Sequence, residues 1–265
     1  MKTYTVYRNA GQRILTTALA CILTLTNLTA QEDLSGTVTY QQVVRYNFEN
    51  IEKAHGNDQR TQDWLATLPK EGTSIQVLNF NSEEALFEED DSEKEATPAG
   101  LQRALMFENS LKPANPVAQK VYYNFDKNHK LEQVEFMTRV FLVESEIKSV
   151  PWKLGSEKKK VLDYICLGAS ATIDDQEIKA WFAPEIPVSL GPSVFGGLPG
   201  LILAVERNGE TAYVATSVNL DPATILSIAK PNKGSKVSRE EFAAIRKEKE
   251  KEREENTQSR EMYHR

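Results

Sequence analysis

Cysteine, histidine and methionine are scarce in this 265-residue chain, which holds two, three and four of them. Cys21 lies in the leading apolar stretch, so Cys166 alone remains beyond it and an internal disulfide framework is excluded. His55, His129 and His264 form no His-x-x-x-His pair, and no Cys-x-x-Cys occurs, so no sequence pattern offers a transition-metal site. Basic charge is also in deficit. With 32 Lys and Arg against 38 Asp and Glu the net charge is −6, which gives no electrostatic footprint for nucleic acid and repels anionic lipid surfaces. A glycine-rich phosphate cradle is missing too: residues 197–200 follow no strand-to-helix junction and have no lysine beside them.

What the chain does have begins with a targeting signal. Lys2, Arg8 and Arg13 precede an apolar run over residues 14–28 that ends in Thr29-Ala30, with no acidic side chain before Gln31. This is the layout of a secretory signal peptide cleaved near Ala30, which implies a periplasmic or otherwise exported protein of net charge −9 with no membrane span. The run is short for a bilayer crossing. Cys21, read as a lipidation cysteine, has apolar residues on its far side and suits the interior of the signal better.

From residue 34 the pattern is that of short strands. Residues 34–48 are rich in Val, Thr and Tyr, residues 74–80 alternate, and residues 101–107 read as another strand. Residues 58–68, stopped by Pro69, form the one short helix expected in this half. The acid-rich residues 82–100 read as a solvated loop and lack the glycine and ligand spacing of an EF-hand. Three hairpins follow: residues 118–144 about Asp126-Lys127-Asn128-His129, residues 161–182 about Asp174-Asp175, and residues 201–217 about Asn208-Gly209. Residues 153–160 read as a polar link. Eight or nine strands in meander order predict a mainly β fold, a curved antiparallel sheet or half-barrel, with a short helix and a charged C-terminal helix. The domain reading is a signal over 1–30, a β domain over 31–237 and a charged tail over 238–265. That tail starts with a capping box at Ser238 and Glu241, and beyond Phe242 and Ile245 it is expected to project into solvent.

The unusual stretch is residues 180–204, where four prolines and four glycines interleave with Trp181, Phe182, Ile186, Phe195, Leu198 and Leu201. Proline fixes φ and glycine permits positive φ, so this backbone holds one irregular path, tucked by its apolar side chains against the sheet. Gly197-Leu198-Pro199-Gly200-Leu201-Ile202 spells GLPGLI, and together with Trp152, Tyr164, Cys166, Ala180-Trp181-Phe182 and Pro184-Glu185-Ile186-Pro187 it resembles the GLPGLI family. The resemblance covers roughly residues 35–250. It implies an exported Gram-negative protein of unestablished function on a curved antiparallel sheet.

Chemistry is thinly represented. Each histidine reads as a surface residue, Cys166 as a buried inert thiol, and Glu185 as a capping or backbone-bonding carboxylate, with a pKa raised by its apolar neighbours as the sharper alternative. No catalytic constellation, metal set or cofactor is expected, and enzyme is the less favoured class. Two functions remain open. The first is a binding or carrier module for an apolar ligand lined by Trp181, Phe182, Ile186, Phe195 and Leu198. The second is an envelope protein that docks through a sheet edge or its C-terminal helix. Beside both stands the plainer reading of GLPGLI as a folding motif.

Overall fold

The structure is a computed structural model that describes residues 34–93, 96–111, 116–220 and 227–263. The expected signal segment, Cys21, the cleavage point at Ala30 and His264 lie outside them. Residues Ser35–Arg265 make one compact unit. No helix among the described residues is long and apolar enough to cross a membrane.

The fold is mainly β. Twelve strands form one open sheet: β1 (Gly36–Arg45), β2 (Glu71–Phe80), β3 (Glu84–Glu89), β4 (Ala118–Asn124), β5 (His129–Phe136), β6 (Arg139–Glu146), β7 (Lys153–Val161), β8 (Tyr164–Ile173), β9 (Gln176–Ala183), β10 (Leu201–Arg207), β11 (Glu210–Asn219) and β12 (Ser235–Ser238). Their order is β12-β6-β5-β4-β3-β2-β1-β11-β10-β9-β8-β7, antiparallel throughout except for the parallel pair β12–β6. Two meanders thus meet at the antiparallel β1–β11 pair, where Thr37 lies opposite Asn219 and Gln42 opposite Tyr213.

Connection length forces the sheet to curl. β6 and β7 stand ten strand spacings apart in the order, about 48 Å if the sheet were flat. The six residues between Glu146 and Lys153 reach about 25 Å at full extension. The two ends of the sheet must therefore bend toward each other. The inner face carries Val38, Tyr40, Leu78, Phe80, Phe87, Val121, Tyr123 and Phe182, all buried.

Two pieces of chain cover that face. Residues 184–200 cross it, tied to the sheet by Tyr123 Oη donating to the Ser193 carbonyl (3.1 Å) and to the connector by Trp152 Nε1 donating to the Gly196 carbonyl (2.8 Å). The second is α4 (Arg239–Tyr263), which sets Phe242 against Phe136 and Phe141. The capping box is present: the Glu241 amide donates to Ser238 Oγ (3.1 Å) and the Ser238 amide to Glu241 Oε2 (2.7 Å). As far as Arg253, however, the helix does not project. Phe242, Ile245, Arg246, Lys249 and Arg253 form a partly buried stripe at helical spacing, and Arg253 donates to the Ser110 carbonyl (3.0 Å). Beyond Phe242 and Ile245, the charged composition hid a face on which the aliphatic stems of Arg246, Lys249 and Arg253 do the packing.

Other expectations need correction. Residues 82–100 are not one solvated loop. Ala85, Leu86 and Phe87 are buried in β3, Glu84 accepts from Tyr122 Oη, and Glu88 pairs with Lys120. Residues 101–107 lie in a helix, α3 (Ala99–Leu111), and α1 (Glu49–His55) joins the expected helix, observed as α2 (Gln59–Ala66). The polar link is β7. The return of the first hairpin is split into β5 and β6 by Met137 and Thr138, whose φ values of 50° and 66° make a tight turn without glycine or asparagine.

Candidate functional site

The helices α1, α2 and α3 share a small core of Phe48, Ile51, Leu65, Leu68, Leu101 and Ala104. Asp58 caps α2, its carboxylate accepting from Thr61 Oγ1 (3.0 Å). Glu108, buried, joins α3 to the start of α1 by accepting from the amides of Asn50 (3.1 Å) and Ile51 (3.0 Å). Helical spacing gives α3 two faces. Leu101, Ala104, Leu105 and Glu108 turn inward, whereas Ala99, Gln102, Arg103 and Met106 line an open groove.

That groove has a volume of about 770 Å³ and is completed by Trp64 of α2 and by Phe107. Trp64 is half-buried, Arg103 is exposed, and Met106 is 69% exposed, the highest value among the large apolar side chains described as exposed. Phe107 stacks on His55 at 5.4 Å between ring centroids. A second hollow of about 500 Å³ is lined by residues including Phe48, Asn57, Gln62 and Lys70. An aromatic face, a thioether, an amide and a guanidinium open to water form a surface able to hold a ligand with one apolar side and a polar rim. Sequence reading missed this site because residues 101–107 looked like a strand. The spacing of Ala99, Gln102, Arg103 and Met106 was the available signal.

The residues singled out in the sequence lie elsewhere. Phe182, Ile186, Phe195 and Leu198 are buried among the chain's own segments, with Phe195 against Tyr213 at 6.4 Å between ring centroids. Trp181 is on the opposite face from Phe182, as strand alternation requires. There it donates from Nε1 to Glu206 (2.9 Å), beneath the ammonium groups of Lys179 and Lys159 at 4.7 and 5.3 Å from its ring centroid. Burial opposes the Glu206 carboxylate, but hydrogen bonds from Lys159 and Trp181 outweigh it and hold its pKa below the usual range. The five residues therefore do not face one space.

The GLPGLI string is a close-packed turn. Gly200 has a φ of 150°, and a Cβ there would sit 2.3 Å from the Ala183 carbonyl oxygen. Pro199 and Gly200 lead into β10, where Leu201, Ile202 and Leu203 are fully buried and the Ile202 carbonyl accepts from Tyr40 Oη (2.8 Å).

The reactive candidates are quiet. Cys166 is buried, and burial pushes its thiol up to about 11. His129 begins β5, with Nε2 3.9 Å from Glu144. Glu185 is exposed, so the apolar surroundings expected for it are absent. Among the described residues no group of three His, Cys, Asp or Glu side chains is placed to hold a metal ion.

The family model described as N-glycanase peptide, N-terminal domain matches residues 116–252, from just before β4 into α4. Two solved structures of PNGF-II, in different space groups, resemble the chain at 17% identity over 80% of its length, with TM-scores of 0.50 and 0.49. The chain spans about a third of the length of those structures, covering 33% of one and 32% of the other. Comparison with curated proteins gave no match.

Proposed function

The chain belongs to the N-glycanase peptide N-terminal-domain family, and from that premise we propose that it is an exported, non-catalytic binding module whose ligand is a carbohydrate held in the α2–α3 groove. One observation carries the reading: Trp64, half-buried against the small core, stands with the exposed Gln102, Arg103 and Met106 on an open groove. An indole face packs against the C–H side of a sugar ring, while amide and guanidinium groups reach its hydroxyls. The family description, N-glycanase peptide, is what points to a glycan.

This reading moves the ligand away from the curl of the sheet. An apolar guest lined by Phe182, Ile186, Phe195 and Leu198 would have to displace residues 184–200, which are bonded to β4 and to the 147–152 connector. The alternative of docking through a sheet edge retains one support. β7 pairs with β8 alone and is exposed over nearly its whole length.

Isothermal titration calorimetry of the processed chain against a panel of neutral and acidic oligosaccharides tests the proposal. Saturable binding that Trp64→Ala abolishes while the thermal midpoint stays within a few degrees supports it. No heat with any saccharide, or binding indifferent to Trp64→Ala, overturns it. Mass spectrometry of protein from the host envelope tests export: a chain starting at Gln31 is expected, and one that retains residues 1–30 contradicts cleavage near Ala30.

A further inference from the structure

Arg103 is the one charged side chain among those lining the α2–α3 groove. Among the described residues it forms no ion pair, unlike Arg45, which pairs with Glu210, and Lys53, which pairs with Glu49. The nearest carboxylate in sequence on α2, Asp63, accepts from Gln59 Nε2 (2.8 Å) and is not part of the lining. An unneutralised guanidinium on the same groove as a half-buried indole leaves a fixed positive charge open to an arriving ligand.

On the carbohydrate reading given above, we infer that the groove selects sugar acids, rings that carry a carboxylate, over their neutral counterparts. The guanidinium fork matches a carboxylate with two parallel N–H···O bonds, a geometry no neutral hydroxyl reproduces. Trp64 supplies the face for the ring, and Gln102, one residue before Arg103 on the same groove-facing stripe of α3, serves the hydroxyls. Met106 adapts to ring substituents through its flexible thioether. Among the described residues no carboxylate of the lining competes for Arg103. Because the groove is open to water, the acid preference is modest, about tenfold at low salt and shrinking as salt rises.

Two matched pairs of probes separate this inference from the reading on which it rests. They are the α-1,4-linked trimers of galacturonate and galactose, and sialyllactose against lactose. Titrated into the processed full chain at 20 mM and 300 mM salt, the acidic member of at least one pair is expected to bind about tenfold tighter at low salt. Arg103→Gln is expected to bring the two members level, the acidic sugar losing about tenfold more affinity than the neutral one. Arg103→Lys keeps the charge without the fork and should restore only part of the preference. Equal affinities in both pairs, or a preference that survives Arg103→Gln, overturn the selectivity and leave the carbohydrate reading standing. Binding by no saccharide removes both. Arg103 is exposed, so the variants fold as the parent does, and far-ultraviolet circular dichroism verifies it.

Discussion

Gly200 and Gly209 both have positive φ, at 150° and 81°, yet they answer to different constraints. A methyl group at Gly200 would meet the Ala183 carbonyl oxygen at 2.3 Å, while at Gly209 nothing lies within 4 Å. Gly200→Ala is expected to cost about 3 kcal/mol through clash and backbone strain. Gly209→Ala should cost only about 1 kcal/mol, from strain alone. Urea unfolding of the two variants gives the comparison, and equal losses would mean that the GLPGLI turn is not closely packed. Buried acids set a second expectation. Burial raises the Cys166 thiol to about 11 and raises the Tyr40 and Tyr123 phenols further. Above pH about 9 the unfolded chain releases these protons while the folded chain keeps them. The unfolded state then binds fewer protons, so stability falls as pH rises. The urea midpoint should drop steadily between pH 8.5 and 10.5, with a shallower slope in Tyr123→Phe.

At the scale of elements, α4 is the one whose role changed most between sequence and structure. Its cap was legible from Ser238 and Glu241 because a capping box is local. Its docking was not, because Arg246, Lys249 and Arg253 look solvated until the body of the protein is placed beneath them. Phe242, packed on Phe136 and Phe141, anchors the helix, so Phe242→Ala should destabilise the protein by about 3 kcal/mol in chemical denaturation. A helix that merely projected would leave stability unaltered. The same distinction explains the other elements. Asp174-Asp175 and Asn208-Gly209 announced their hairpins because turn chemistry is local. β3 hid its buried Ala85, Leu86 and Phe87 between acidic residues that pair with Tyr122 and Lys120 only across strands. β7 looked like a linker because an edge strand made of lysines has almost nothing buried.

For the whole molecule, the curved antiparallel sheet was legible and the candidate site was not. The site needs Trp64 of α2 brought to the outer stripe of α3, a juxtaposition that no short motif announces. The family match covers β4 to β12 and the first half of α4, so the groove-bearing helices lie outside the matched part. Cooperativity is nevertheless expected to be global, since β1 and β11 join the two meanders along a shared register. Unfolding followed at Trp64 and at Trp152 in variants with a single tryptophan should give coincident urea transitions. Separate midpoints would divide the unit in two. The β1–β11 pair also fixes an order of events. β1 emerges first from the ribosome, buried on its inner face, and can pair with β2 almost at once. Its other edge waits until Asn219 has been made, a loop of some 180 residues after Thr37. Closing so distant a contact is slow. The central strand of the finished protein is therefore an open edge for most of synthesis, and the chain stays incompletely folded until its last meander arrives.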